Sequence, residues 1–278
     1  MTVLGLTALV ATGSVAAGLL GALTGLGGGV VIIPLLVIAF GVDIRYAIGA
    51  SLVSIIATSS GAAAAYVEEG YTNVRVALVL EIATALGALS GAGIAVYLRT
   101  DVIAITFGLV LIYSAVQALR PPSSEALADR PDRIAAFLRL DSSYPTSAGT
   151  RDYHVRNVPT GFALMYGAGI LSGLLGIGSG AIKVLAMDRA MHLPFKVSTT
   201  TSNFMIGVTA AASAGVYLRR GYVDPGLAMP VMLGVLAGSM IGARLLHRAP
   251  PARLRQIFAV AIAGLGMEML YRGMTGTL

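Results

Sequence analysis

The stretch Gly25-Leu26-Gly27-Gly28-Gly29 interrupts a long apolar run, and Gly176-Ile177-Gly178-Ser179-Gly180 does the same 151 residues later, 176 less 25. Hydrocarbon offers no partner for backbone N–H and C=O groups. A membrane helix that loses its hydrogen-bond ladder at such a cluster must therefore turn the break towards protein, water or a solute. Paired interruptions in the two halves of a chain point to a transport site built from discontinuous helices.

Composition places the chain in the bilayer before any motif is considered. Hydrophobic residues make up 56% and charged residues 12%, with a mean hydropathy of +0.83, whereas soluble domains are about 25% charged. No charged side chain precedes Asp43, and apolar runs approaching the ~20 residues needed to cross a membrane recur along the chain. Alternation of apolar and polar residues is missing, which argues against a β-barrel. The expected fold is all-α and polytopic. The first apolar run, residues 3–23, has no Lys or Arg ahead of it and leads straight into the break, so it is expected to be a retained helix rather than a cleaved signal.

The chain has no cysteine, which excludes disulfides and thiolate chemistry. Its net charge of +6 belongs to loops that set orientation and touch anionic lipid, not to a nucleic-acid surface. A Gly-x-x-x-x-Gly-Lys-Ser/Thr loop is absent, against ATP hydrolysis within this polypeptide. No cofactor or metal is expected, and homo-oligomer formation is left open.

The 151-residue offset persists far beyond the breaks. Ser51 meets Ser202, Tyr66 meets Tyr217, Gly70-Tyr71 meets Gly221-Tyr222, Gly87 meets Gly238, Gly91-Ala92 meets Gly242-Ala243, and Phe107 meets Phe258. Two tandem repeats are expected, residues 1–119 and 159–278, joined by a polar extramembrane linker over 120–158. Helices are expected over 3–24, 47–67, 76–98 and 102–119, then over 160–175, 199–218, 226–246 and 254–271. A short linker helix is expected over 132–140, where Ile134, Phe137 and Leu138 share a face.

Short apolar pieces over 30–40 and 181–191 follow the breaks. At ~1.5 Å per residue each spans roughly 16 Å, half the hydrocarbon thickness. If they do not cross, each half has four crossings, eight in all, and the repeats are expected to be parallel. If they do, five per half make the repeats inverted. The eight-crossing arrangement is the expectation.

The breaks also suggest chemistry. Consecutive glycines take positive φ at no steric cost, letting amide N–H groups converge on an anion, with the following helix N-terminus adding partial positive charge. The competing interpretation is that Gly21-Gly25-Gly29 and Gly176-Gly180 are small-residue packing faces. Lys183 lies three residues past the second break, where its offset partner is Ile32. A lysine at that depth is costly unless it meets a partner or a polar cavity. It is a candidate to balance a bound anion, with snorkelling to a headgroup as the alternative.

Hydroxyl-rich helix starts follow, with Ser51 in the first half and Thr199, Thr200, Thr201, Ser202 and Asn203 in the second. Such donors replace part of an anion's hydration shell without trapping it behind a permanent charge. Arg45 and Lys196 are taken as loop charges. Glu81 is a candidate proton carrier, while Glu268 lies near the end of the chain and Arg244 within an apparent helix.

Together the Gly25-Leu26-Gly27-Gly28-Gly29 segment with Pro34-Leu35-Leu36 downstream, its repeat at Gly176-Ile177-Gly178-Ser179-Gly180 and the Thr199 to Asn203 stretch resemble the TauE/SafE family of sulfite exporters. The resemblance covers nearly the whole chain apart from the linker. It implies secondary transport of sulfite, or of another small sulfur-containing or organic anion, across a bacterial cytoplasmic membrane, with the anion and the lipid bilayer as partners. The expected substrate-binding residues are Gly27, Gly28, Gly178 and Ser179 as donors, Lys183 for charge, and Ser51, Thr201, Ser202 and Asn203 lining the same cavity. Sulfite suits such a site because its second ionisation lies near neutral pH, so mono- and dianion must both be held by adaptable donors.

An intramembrane hydrolase is the competing class. It needs a base placed against Ser179, and nothing in the sequence brings His154, His192 or His247 there.

Overall fold

The computed structural model describes residues 3–24, 29–68, 70–119, 132–146, 149–246 and 251–277. In chain order these form α1 (Val3–Thr24), α2 (Gly29–Pro34), α3 (Ile44–Glu68), α4 (Val74–Ala95), α5 (Thr100–Leu119), α6 (Arg133–Phe137), β1 (Ser142–Thr146) and β2 (Gly149–Tyr153). Then come α7 (Val158–Leu175), α8 (Gly180–Leu185), α9 (Phe195–Arg219), α10 (Pro225–Leu246) and α11 (Pro251–Thr275). Each of the two short helices widens into a π-turn, Leu35–Ala39 after α2 and Ala186–Ala190 after α8.

Apart from one hairpin the regular elements of the described residues are helical. Among the described residues four helices combine the length and hydropathy needed to cross a membrane: Val74–Ala95, Thr100–Leu119, Val158–Leu175 and Pro225–Gly242. Their ends follow from local chemistry. Asn73 caps α4, its side chain accepting from the Val76 N–H. Pro159 occupies the first turn of α7 and Pro225 and Pro251 open α10 and α11, positions where a missing N–H is harmless. Gly176 ends α7 in a left-handed conformation, φ 65°, with its N–H returned to the Ser172 carbonyl, a standard glycine stop.

Helix boundaries repeat at the same offset. The ranges 29–34, 35–39, 44–68 and 74–95 map onto 180–185, 186–190, 195–219 and 225–246 without a shift. Packing, however, runs across the halves: α1 lies on α10, α4 on α7, α3 on α9 and α5 on α11. Glycines make the closest approaches. A methyl group on Gly173 would run into Ala88, one on Gly169 into Thr84, and one on Gly238 into Val15. The small-residue interfaces expected of membrane helices thus include glycines outside the breaks, and Gly29, Gly176 and Gly180 within them are closely packed as well.

The same contacts give the helix directions. Gly169 faces Thr84 and Gly173 faces Ala88, so α4 and α7 run parallel, as do α1 and α10 through Gly234 with Ala11 and Gly238 with Val15. Offset mates are antiparallel: Gly49 of α3 meets Tyr222 just past α9 and Gly207 of α9 meets Ser59 of α3, while Gly108 meets Leu270 and Gly273 meets Asp101 between α5 and α11. Antiparallel mates require an axis perpendicular to the helices.

The short pieces explain this geometry. Past the second break, α8 and its π-turn run back along α7, so that Met191 reaches Gly161 and Asn157 Nδ2 donates to the Ala190 carbonyl at 3.0 Å. In the first half Leu35 and Phe40 likewise come back beside Gly13. The second short piece returns to the end at which α7 begins, and the first runs back as far as the middle of α1. Short pieces that double back thus accompany antiparallel offset mates, whereas the sequence expectation paired non-crossing pieces with parallel repeats by taking the first helix to leave on the far side.

Between the halves, α6 occupies part of the expected 132–140 helix, and β1 pairs with β2 from Ser142↔Tyr153 to Thr146↔Gly149. This hairpin was not legible in the polar sequence. Ala135, Leu140, Tyr144, Tyr153 and Val155 are buried in one cluster with Val76, Ala77 and Leu80 of α4 and with Met187, Met191 and Val197. Asn73 ties it down, its Nδ2 donating to the Leu140 carbonyl and to Tyr153 Oη, both at 2.8 Å.

Candidate functional site

The second break lies where α3 and α9 cross. Gly176, Gly178 and Ser179 all have positive φ, 65°, 71° and 46°, so three of the four residues between α7 and α8 are left-handed. Glycine adopts this freely, whereas for Ser179 it costs roughly 1–2 kcal/mol. Ile55 of α3 and Ile206 of α9 converge on Gly178. Gly29, at the start of α2, abuts Ser51, Ile55 and the Gly176 carbonyl, which brings the two halves together at this point. Gly27 and Gly28 lie outside the described residues.

Hydroxyls satisfy the carbonyls that the break leaves open. Ser51 Oγ donates to the Gly176 carbonyl at 2.8 Å and Ser202 Oγ to the Gly180 carbonyl at 3.2 Å. These offset mates hold the unwound backbone, and their protons are taken by it. Ser179 Oγ is buried and has no hydrogen-bond partner among the described residues, and Ser172 Oγ is in the same state.

One turn past Ser179 stands Lys183, with no exposed surface. Its Nζ donates to Thr209 Oγ1 of α9 at 2.5 Å, and Thr209 Oγ1 donates to Glu81 Oε1 of α4 at 2.7 Å. Thr209 is fully buried and Glu81 is 9% exposed. Glu81 Oε2 has no partner among the described residues. A lysine and a carboxylate from different helices are thus bridged by a single hydroxyl inside the bundle. An interior that excludes water tolerates a cation and an anion only as such a partnered set.

The structure therefore brings Gly178, Ser179, Lys183, Ser51 and Ser202 to one region and adds Glu81 through Thr209. Thr201 is engaged elsewhere, its Oγ1 accepting from the Asn73 N–H at 3.0 Å beside the linker, and Asn203 is half-buried on α9. Thr209 was missed because a threonine in a membrane helix is usually a packing residue. The available signal was its offset mate Thr58, although that hydroxyl turns back to the Ser54 carbonyl of its own helix.

The other charges singled out in the sequence lie elsewhere. Arg45 Nη2 donates to the Leu98 carbonyl at 2.7 Å with its guanidinium over Tyr222, Lys196 lies over the Tyr71 ring, and Glu268 pairs with Arg272 one turn on. His154 pairs with Asp141 at 3.1 Å in the linker. The side chain of Arg244 and all of His247 lie outside the described residues.

The family profile described as Sulfite exporter TauE/SafE matches residues 9–269. The chain belongs to the TauE/SafE family. Among curated relatives, a probable membrane transporter protein, YunE, of Bacillus subtilis (strain 168) is 26% identical over 264 residues, 92% of this chain and 94% of its own. A second from the same organism, YdhB, is 26% identical over 248 residues, 89% and 93% of the two chains. A probable membrane transporter protein of Xylella fastidiosa (strain 9a5c) is 26% identical over 275 residues, 98% and 97%. No solved structure matches. This TauE/SafE chain is a multi-pass membrane transporter, not an enzyme.

Proposed function

We propose that the protein is a secondary transporter that exports sulfite, or a related small sulfur-containing anion, across the cytoplasmic (inner) membrane of a bacterium. The anion lodges at the second break, with Gly178 and Ser179 offering backbone and hydroxyl donors and Lys183 balancing its charge. Ser51 and Ser202 hold the site open, and Gly27 and Gly28 complete it from the other half. The observation that carries this reading is the buried cation one turn from a left-handed break whose serine hydroxyl has no partner among the described residues.

In this reading eight long helices lie across the bilayer and residues 1–119 and 159–278 form an inverted repeat, with 120–158 outside the membrane. The unshifted helix boundaries and the antiparallel offset mates support the repeat. An in-plane pseudo-twofold with unwound segments meeting near its centre is the architecture in which one site faces either side in turn.

The test is flux from purified protein in liposomes loaded with labelled sulfite. Wild type should release it, and Lys183→Ala and Gly178→Leu should each slow release at least tenfold. Normal rates in both variants would remove the site assignment. No sulfite release from the wild type, with release of another small organic anion, would move the substrate to that class.

A further inference from the structure

We propose that binding of the anion makes Glu81 take up one proton, so that one anion and one proton cross together. The inference deepens the proposed reading and rests on the break being the anion's site. Without a guest, the Lys183 ammonium and the Glu81 carboxylate balance each other through Thr209. Lys183 has three N–H donors, and Thr209 Oγ1 is the acceptor the structure gives it. The remaining donors are available to a guest beside Ser179, one helical turn away.

A third charge changes the balance. An anion beside Lys183 gives the buried set a net charge of −1, and the protein interior disfavours an unbalanced charge strongly enough that a titratable member neutralises instead. Glu81 Oε2 is the available atom, being buried and without a hydrogen-bond partner among the described residues. The step is addition of H⁺ from water to the Glu81 carboxylate, giving the carboxylic acid, with no bond made or broken in the anion. For a monoanion the set returns to zero. Thr209 can remain in place, since its hydroxyl is also 3.0 Å from the Met205 carbonyl.

Among the described residues no other charge competes for this role. α4 packs against α7 and α9 and carries the linker cluster, where Asp141 and His154 pair with each other and Tyr153 accepts from Asn73, while Asp188 and Arg189 lie on the π-turn whose Met187 joins that cluster. The ionisable side chains of α7 and α9 are Tyr166, which is bonded to Ser90, Lys196 over Tyr71, Tyr217 bonded to the Gly173 and Leu174 carbonyls, and Arg219 at the far end of α9. On α4 itself Arg75 donates to the Arg139 carbonyl. Among the described residues Lys183 alone exerts a charge effect on Glu81. The offset mates of Lys183, Thr209 and Glu81 are Ile32, Thr58 and Met232, none of which titrates, so the count is one proton, not two.

Calorimetric titration of sulfite into purified protein, in two buffers of different ionisation enthalpy at one pH, counts the protons. Wild type should take up one proton more per bound sulfite than Glu81→Gln, sulfite's own protonation cancelling in the comparison. Infrared difference spectra of the wild type need no variant and should show a carboxylic-acid C=O band growing as sulfite binds. Sulfite binding with equal proton counts and no such band would overturn this inference alone. Absence of sulfite binding to the wild type would remove the functional reading and this one with it.

Discussion

Replacing Lys183 by Met tests the buried pair directly. The substitution keeps side-chain volume but leaves Glu81 facing Thr209 with no cation in reach. Two independent magnitudes converge. Removing one partner of a buried pair typically costs about 3–5 kcal/mol. Neutralising a carboxyl of ordinary pKa ~4.3 at pH 7 costs about 3.7 kcal/mol, at ~1.36 kcal/mol per unit. The loss should therefore be about 3–4 kcal/mol. With ~2.1 cal/mol/K of unfolding entropy per residue over 278 residues, it lowers the melting temperature by about 6 °C. Heating the detergent-solubilised protein and following the soluble folded fraction gives the number. The double variant Lys183→Met/Glu81→Gln removes both charges and should recover all but about 1 kcal/mol, because hydrogen-bonded neutral groups bear burial far better than a lone ion. A harmless single variant, or a double variant that loses at least as much as the single, would refute the reasoning.

Gly173→Ala should destabilise by about 1–3 kcal/mol through overpacking, since its new methyl group meets Ala88 backbone. Gly215→Ala, where nothing lies within 4 Å of the added atom, should be neutral or slightly stabilising in the same melt. Asn73→Ala removes the α4 cap and both bonds to the linker, and should cost about 1–3 kcal/mol and speed cleavage within 120–158 by added protease. Equal cleavage rates would show that Asn73 does not hold the linker. Burial pushes the Tyr153 phenol up to about 12 from an ordinary 10.0. An acid held protonated in the folded state stabilises docking fully below the unfolded value and loses that contribution as pH rises between the two. The linker contact should therefore persist to about pH 10 and fail towards pH 12, and the phenolate absorbance of wild type minus Tyr153→Phe should titrate near 12.

The fold was legible where the bilayer constrains the sequence most. Continuous apolar runs and clustered glycines have few readings in hydrocarbon, and the expected 160–175 and 226–246 fall within two residues of α7 and α10. Direction was not legible. Whether residues 181–191 carry the chain onward or back depends on contacts such as Met191 against Gly161, which no local pattern encodes. The hairpin escaped because Ser142–Thr146 contains Pro145, Gly149–Tyr153 is mostly polar, and its stability comes from Tyr144 and Tyr153 docking on α4.

The site was half legible. Lys183 and Glu81 stood out singly as charges in apolar runs, and the shared offset marked Ser51 and Ser202 as a pair. Their grouping was hidden because 128 residues separate Glu81 from Thr209, and Thr201 and Ser202, neighbours in sequence, point to different partners one residue apart.

The central claim is that Lys183 and the Ser179 break hold the anion, and labelled-sulfite binding at equilibrium to the purified protein tests it most directly. Wild type should bind saturably. Ser179→Ala should bind more weakly. Lys183→Met/Glu81→Gln, stable by the reasoning above, should lose at least about tenfold in affinity, ~1.4 kcal/mol. Wild-type affinity in the double variant would contradict the account, because the protein would then be folded, binding its anion, and doing so without the cation placed beside the break.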